Sequence, residues 1–431
     1  MNIPAAQAQA QTIPASPMRA LRFQKAFLIL LAARMVTRFG DSIDSIAYSW
    51  MVYQLTGSKM LMGSLFALNF VPGILFSLFA GVLVDRLPKK QLLFFTYAMR
   101  GTIVALTAFL LWKGWLQTWH LFLFTFLNST LECFSSPAET SLVPRLLPKP
   151  LLLSGNSLST SVSRISELAG LAVAGGIISW IGLSGAILVD SITFYLSALL
   201  LLLLRIPNGE PLDETDADQG KATTTPDRDF WKELKHGLSF VRSQTLILYT
   251  LLTGAVLNLC LTPMNVMNVV YVEEVLHSGP ITLSTLGISL MSAIILSSLG
   301  LSAWGSKFRK SSLVVIGCML LGTGQALYYV PTLLTWQPLV VAGFAAFISG
   351  FAIPFINTPL STYIMEVTPH AMLGRVSSLS SMIAFLFIPI GSLTVGAVGS
   401  FIPVQTLYLA AGLMMFAPAL FLMTRKNFMK I

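Results

Sequence analysis

The sequence predicts an all-α membrane protein with twelve transmembrane helices arranged as two pseudo-symmetric six-helix bundles. Three observations predict it. The 431-residue chain is 55% hydrophobic and 10% charged, with a mean hydropathy of +0.75, which is not the composition of a soluble protein of this length. Its apolar residues gather into twelve segments long enough to cross a bilayer as helices. The two halves of the chain repeat at a shared offset.

The segments lie at about 26–53, 61–84, 91–112, 119–139, 155–180, 186–204, 246–271, 281–304, 312–331, 338–363, 376–400 and 403–424, each near the roughly 20 residues that a helix needs to span a bilayer. Twelve spans put both termini on one side. With that side cytoplasmic, 21 of the 27 basic residues fall in cytoplasmic loops and tails, only Lys59 and Lys113 fall in outer loops, and Arg34, Arg38, Arg100 and Arg164 fall within spans. This satisfies the positive-inside rule, so the net charge of +9 is a topology signal. A nucleic-acid interface needs a basic patch on a soluble module, and none is present. The expected location is the plasma (inner) membrane, multi-pass, with both termini cytoplasmic.

Five stretches are expected: a cytoplasmic tail at 1–22, an N-terminal six-helix bundle at 23–205, a cytoplasmic linker at 206–245, a C-terminal six-helix bundle at 246–425 and a tail at 426–431. The first twenty residues are rich in Ala, Gln and Pro and lack the apolar core of a signal peptide. The linker opens with an acidic run that includes Asp213, Glu214, Asp216 and Asp218, a composition that cannot bury a core and predicts disorder. Trp231, Leu234, Leu238 and Val241 then form one stripe at helical spacing. That stripe reads as an amphipathic helix of the linker lying on the inner membrane surface; an extension of the seventh span is the alternative. Cys133, Cys260 and Cys318 all fall within apolar spans, so neither a disulfide framework nor a metal site is expected, and no cofactor is implied.

The halves repeat around this linker. Gly81 matches Gly300, 219 residues on, and the basic run after Gly81 matches Lys307, Arg309 and Lys310. Pro137, Thr140, Pro148 and Leu158 match Pro359, Thr362, Pro369 and Leu379 at offsets of 221 or 222. Gly170, Gly175 and Gly176 in the fifth span fall opposite Gly391, Gly396 and Gly399 in the eleventh. Two halves related by an axis along the membrane normal place a substrate site between them near the midplane.

Charges within spans are unevenly shared. The first half carries Arg34, Arg38, Asp41 and Asp44 in span one, Arg100 in span three, Glu132 in span four, Arg164 and Glu167 in span five, and Asp190 in span six. The apolar cores of the second half carry none; Glu273, Glu274 and Glu366 lie at span ends. Each such charge costs about 2.5–3.5 kcal/mol at mid-helix on an insertion scale, so each is a functional candidate. Ion coupling is therefore expected in the first half, with the second half supplying an apolar wall for the substrate.

Asp41 is the leading proton-coupling candidate. It sits near the middle of span one, with Arg38 and Asp44 three residues to either side on neighbouring helix positions. Desolvation and a nearby guanidinium push a carboxyl in opposite directions, so such a group can bind a proton in one conformation and lose it in another. Gly40 before it would admit a close neighbour. A static pair with Arg38 or Arg100 is the alternative. Glu132, deep in span four, is the second candidate. Arg164 and Glu167 are expected to satisfy each other, Asp190 to reach the outer interface, and Arg34 to snorkel toward the cytoplasm. The amides Asn258, Asn265 and Asn268 in span seven fit either contacts between helices or contacts to a polar substrate. Trp50, Tyr53 and Phe70 are cavity candidates, though aromatic residues in spans also serve packing.

Between spans two and three, Gly81-Val-Leu-Val-Asp85-Arg86-Leu-Pro88-Lys89-Lys90 resembles the loop signature of the major facilitator superfamily, G-x-x-x-D-R-x-G-R-K, with Pro88 and Lys89 in place of Gly and Arg. The resemblance implies a gated secondary transporter of twelve helices. It also implies that Asp85 docks at the N-terminus of the eleventh helix, near Gly374 and Arg375, when the cytoplasmic side closes, with Arg86 and Arg145 as neighbours. The unpaired N–H groups and partial positive charge of a helix N-terminus would receive that acid. A solvated turn is the plainer reading of the loop.

Further stretches resemble the drug-exporter branch that holds macrolide-efflux proteins and the enterobactin exporter: RFGDSID and YSWMVYQLTGS in span one, PAETSLVPRLL after span four, LVDSITFYLSALLLL in span six, LKHGLSFVRSQTLI before span seven, and TPHAMLGRVSSL before span eleven. The branch's antiporter signature has Gly-Pro in span five, where this chain runs Gly170-Leu-Ala-Val-Ala-Gly175-Gly176. That departure counts against proton antiport, and the buried acids count for it. No G-x-x-x-x-G-K-[ST] loop or H-E-x-x-H motif occurs, so neither direct ATP use nor catalysis is expected. The resemblance implies an exporter of amphiphilic, macrolide-type compounds. Its expected partners are that small substrate, protons and the lipid bilayer, with no nucleic acid, and the chain is read as a monomer. A lysophospholipid translocator, a siderophore exporter or an uptake carrier of the same fold, or a non-transporting receptor, are the alternatives.

Overall fold

The computed structural model describes residues 17–205, 239, 244–334, 337–368, 370–425 and 428. The acidic linker and the stripe from Trp231 to Val241 lie outside the described residues. Lipid gives a backbone no hydrogen-bond partners, so each N–H and C=O must be satisfied within its own segment or a closed sheet. The described chain takes the helical solution. Its elements are α1 (Pro17–Leu21), α2 (Lys25–Thr56), α3 (Lys59–Leu68), α4 (Val71–Arg86), α5 (Lys89–Trp112), α6 (Thr118–Leu146), α7 (Leu152–Leu203), α8 (Thr245–Val266), α9 (Asn268–Glu274), α10 (Pro280–Trp304), α11 (Lys310–Leu327), α12 (Pro338–Val367), α13 (His370–Gly399) and α14 (Val404–Thr424).

Among the described residues, eight helical runs are long and apolar enough to cross a membrane by themselves. One of them, α7, is two spans joined at Gly182, whose φ of 75° interrupts the helix. The remaining spans are the more polar helices α2 and α6, together with α13, which brings the total to twelve among the described residues. Two spans expected to be continuous are broken. Span two divides at Asn69 and Phe70 into α3 and α4, where Pro72 opens α4 with no N–H to donate. Span seven divides at Met267 into α8 and α9, four residues after Pro263.

Within the first half, α2 and α5 pack on α7, and α6 packs on α4 and α5. Within the second, α12 packs on α10 and α11, and α14 packs on α11 and α8. The halves meet through two crossings related by the repeat: α3 lies on α13, and α7 lies on α10. Glycines make both possible. A Cβ on Gly63 would meet Ser392 O and lie 2.9 Å from Gly396 Cα, and one on Gly175 would lie 2.6 Å from Ile281 Cα. Gly175 N–H donates to Ser284 Oγ at 2.7 Å, a bond between halves. Gly63 and Ser284 are 221 residues apart, as are Gly175 and Gly396, so the repeat noted in sequence reappears as two equivalent interlocks.

Both crossings lie toward the face away from the termini. A third tie lies there too: Glu274 Oε2 is 2.7 Å from Lys59 Nζ, and Tyr53 OH donates to Glu274 Oε1 at 2.9 Å. Lys59 is one of the two basic residues that the charge rule left in outer loops, and this pair gives it a structural role. The conformation is therefore the one closed at the face away from the termini. Because the pair is partly exposed, its worth is about 0.2–1 kcal/mol. Glu274→Gln is expected to speed modification of a cysteine placed at Met62 by a thiol reagent added from that face, by at most about fivefold. An unchanged rate would show that the pair does not latch the face.

Candidate functional site

Polar residues recur at spacings of three, four or seven on three helices of the first half. On α2 they are Arg34, Arg38, Asp41, Ser45 and Tyr48; on α5, Tyr97, Arg100 and Thr107; on α6, Thr125, Asn128, Glu132, Ser135 and Glu139. Such spacing puts each set on one helix face, and the three faces converge.

Arg100 is the hub. Its Nη2 lies 3.3 Å from Asp41 Oδ1 and 4.0 Å from Glu132 Oε2, and its Nε donates to Asn128 Oδ1 at 2.8 Å. The guanidinium sits 4.4 Å from the centroid of the Phe194 ring, a favourable placement for a cation. Arg38 Nη1 approaches Asp41 Oδ2 at 3.8 Å. The sequence candidates Asp41, Arg38, Arg100 and Glu132 are thus brought together, and Asp44 lines the same space one turn further along. A guanidinium buried in an apolar bundle is tolerable only with compensating partners, and Asp41, Glu132, Asn128 and the Phe194 ring supply them.

These groups form one wall of a cavity of ≈ 350 Å³. Tyr48, Phe66 and Phe124 supply its aromatic surface, and Met62, Leu65, Ile103 and Val104 its aliphatic surface. The Tyr48 hydroxyl is 2.5 Å from Thr125 Oγ1. The cavity lies among α2, α3, α5 and α6 of the first half, and the second half contributes Asn265 and Val266. A site between the halves, with an apolar wall from the second, was expected; this cavity is lined mainly by the first half, whose charged and polar helix faces converge on it.

Of the other cavity candidates, Trp50 is 5% exposed and packs in the core. Tyr53 serves the Glu274 tie, and Phe70 packs against Phe66 in a tilted arrangement with ring centroids 5.6 Å apart. Asn258 and Asn268 lie outside the cavity lining. Tyr48, two residues before Trp50, is the span-one aromatic that lines the cavity. Its spacing from Asp41 was the signal that could have found it.

Two further expectations are corrected. Asp190 does not reach an interface with solvent or headgroups: it is 1% exposed, and the Thr193 hydroxyl lies 3.2 Å from its Oδ1. Gly40 is what admits it, since a Cβ there would collide with Thr193 Oγ1 and Asp190 Oδ1. Arg34 does not snorkel. Its Nη1 donates to Ser159 Oγ at 2.9 Å and its Nε lies 3.7 Å from Glu139 Oε2, because α6 and α7 offer acceptors on the side it faces. Glu139, absent from the sequence candidates, also accepts a hydrogen bond from the Tyr97 hydroxyl. Arg164 and Glu167 do pair, at 2.8 Å.

In the first turn of α5, Lys90 Nζ donates to Leu202 O at 2.9 Å, near the C-terminal end of α7, where unpaired carbonyls attract cations. Lys89 is buried, and Arg86 and Arg145 are exposed. The surroundings of Gly81 and the side chains of Asp85 and Arg375 lie outside the described residues.

The model of the Major Facilitator Superfamily matches residues 30–392. The chain belongs to that superfamily. Among its relatives, this facilitator is 24% identical over 368 residues to macrolide efflux protein A of Streptococcus pyogenes, covering 85% of this chain and 87% of that one. It is 25% identical over 338 residues to macrolide efflux protein A of Enterococcus faecalis, covering 78% of this chain and 99% of that one. Its fold matches the crystal structure of the nucleoside transporter NupG with a TM-score of 0.71 at 15% identity, over 93% of the facilitator and 98% of NupG. Members of this superfamily carry small molecules across membranes, and the multi-pass architecture of this chain is of that kind.

Proposed function

We propose that this facilitator exports amphiphilic, macrolide-type compounds across the plasma membrane by alternating access, driven by proton entry. The observation that carries the reading is the cavity whose one wall is charged and whose others are aromatic and aliphatic. Two bases and three acids line it, so with all five ionised it holds one surplus negative charge and favours a cation: a proton in one state, a protonated amine of the substrate in another. At ≈ 350 Å³ it is at the lower end of drug-sized sites. A macrolide would enter it with its polar, amine-bearing end, leaving the lactone toward the space between halves.

The distribution of lysine and arginine supports a cytoplasmic position for the face that carries the termini. The conformation closed at the opposite face is then inward-facing, ready to load drug from the cytoplasm. When the halves rock to close the cytoplasmic face, Asp85 docks at the N-terminus of α13 and holds it. Protonation of Asp41 releases Arg100 to its remaining partners, and that difference in partners between states is what allows proton binding to drive the change. In inside-out vesicles with an acidic interior, radiolabelled erythromycin is expected to accumulate and to leak back when a protonophore is added. Accumulation of lysophospholipid that ignores the protonophore would favour lipid translocation instead.

A further inference from the structure

Toward the terminal face from Asp41 lies a second carboxylate that the mechanism above leaves unused. The Glu139 side chain is 14% exposed. It accepts a hydrogen bond from Tyr97 OH, and Tyr97 is itself 2% exposed. The base beside it stops short. Arg34 Nε is 3.7 Å from Glu139 Oε2, beyond hydrogen-bond range, and this nitrogen is fully buried with no acceptor, while Nη1 of the same guanidinium is held by Ser159. A buried donor left unpaired costs about 1–3 kcal/mol, and native structures keep few of them. The pair is therefore an interaction left open in this conformation, about half an ångström or more from closing.

Its neighbours place it in line with the coupling cluster. Tyr97 and Arg100 are three residues apart on α5, and Glu132 and Glu139 are two turns apart on α6. The ionisable groups in contact with Glu139 are Arg34 from α2 and Tyr97 from α5; the charges of Asp41 and Glu139 act on each other, and Arg38, Arg100 and Glu132 lie beyond, around Asp41. From α7 comes the Ser159 hydroxyl, with Arg164 paired to Glu167 further along. A proton leaving Asp41 for the terminal face passes this group.

We propose that Glu139 is a second proton-carrying residue, which takes the proton that Asp41 releases and delivers it to the terminal face. The inference rests on the proton-driven reading. In the transfer, the Asp41 carboxyl becomes a carboxylate and the Glu139 carboxylate becomes a carboxylic acid, so the charge of the pair is unchanged. Release of the proton to water at the terminal face restores the Glu139 carboxylate, and Arg34 Nε–H then closes on it. Only O–H bonds form and break.

The test uses the full chain in proteoliposomes and two readouts. The first is the infrared carboxyl absorption followed from alkaline to acid buffer, which requires no substrate. A component of that absorption that grows on acidification is expected to be present in the wild type, absent from the difference spectrum of Glu139→Gln and shifted in Glu139→Asp; identical titrations of wild type and Glu139→Gln would overturn the proposal. The second is erythromycin transport. Glu139→Gln is expected to exchange drug across the membrane at near the wild-type rate without a gradient, and to lose at least about tenfold in gradient-driven accumulation, with Glu139→Asp restoring it. Equal loss of exchange and accumulation would mark a merely structural residue and overturn the proposal. If Glu139→Gln does not insert, the band shift in Glu139→Asp decides. Should the wild type move no macrolide at all, the export reading fails, and the infrared titration still judges Glu139.

Discussion

Asp41→Asn is expected to insert and fold as the wild type does while losing gradient-driven export by at least about tenfold, the factor that 1.4 kcal/mol of lost differential binding supplies. The amide keeps the size of the carboxyl and an oxygen for Arg100 Nη2, now 3.3 Å from Asp41 Oδ1. Asn128 and Glu132 still hold the guanidinium, so the buried charge is not abandoned. What disappears is the ability to take up and release a proton. A site with equal proton affinity in both conformations shifts nothing, however tightly it binds. The check is the ratio of erythromycin accumulated under a pH gradient to erythromycin exchanged without one. Accumulation at the wild-type level would remove Asp41 from the coupling role.

Alanine at Gly63 or Gly396 is expected to drive the protein out of the conformation described here. A Cβ on Gly63 meets the Ser392 carbonyl and Gly396 Cα, and one on Gly396 lies 3.1 Å from Lys59 O and 3.2 Å from Gly63 Cα. These neighbours are backbone atoms of packed helices and cannot swing aside. Overpacking of this kind costs about 1–3 kcal/mol, and it falls only on the state in which α3 and α13 are in contact. About 2 kcal/mol moves a two-state balance roughly thirtyfold. The variants are expected to favour the conformation open at the face away from the termini. Cysteines placed at Met62 or Val52 should then be modified faster from that face, and drug transport should fall. Wild-type labelling with wild-type transport would mean that the α3–α13 crossing does not have to separate during the cycle.

Much of this arrangement was legible in the sequence for a simple reason. In a membrane chain, charge is expensive, so Asp41, Arg38, Arg100 and Glu132 announce themselves and need only the fold to bring them together. The glycine repeat was legible too: Gly175 and Gly396 appear at matching places because each lets a helix of one half approach the other. Residues without formal charge were harder. Tyr48, Thr125 and Asn128 carry no exceptional insertion cost, and only their heptad-like spacing from Asp41 and Glu132 marks them as facing the cavity. Glu139 was missed because it sits at the edge of the apolar run of span four, where an acid looks like an end residue. Asp190 and Arg34 were assigned to interfaces because depth along a helix was read without its rotation. Gly40 could have corrected the first, since a glycine beside a buried acid signals a neighbouring helix pressed close. The breaks in spans two and seven were marked in advance by Pro72 and Pro263 and still went unread, because hydropathy alone runs through them.

The most direct measurement is internal pH in proteoliposomes that hold an imposed proton gradient, recorded as a macrolide is added, with Asp41→Asn alongside. Coupled export predicts that the gradient collapses on addition of the drug in the wild type and persists in Asp41→Asn. A gradient that persists in both, while labelled macrolide still crosses the membrane, would contradict proton coupling at the Arg100 cluster.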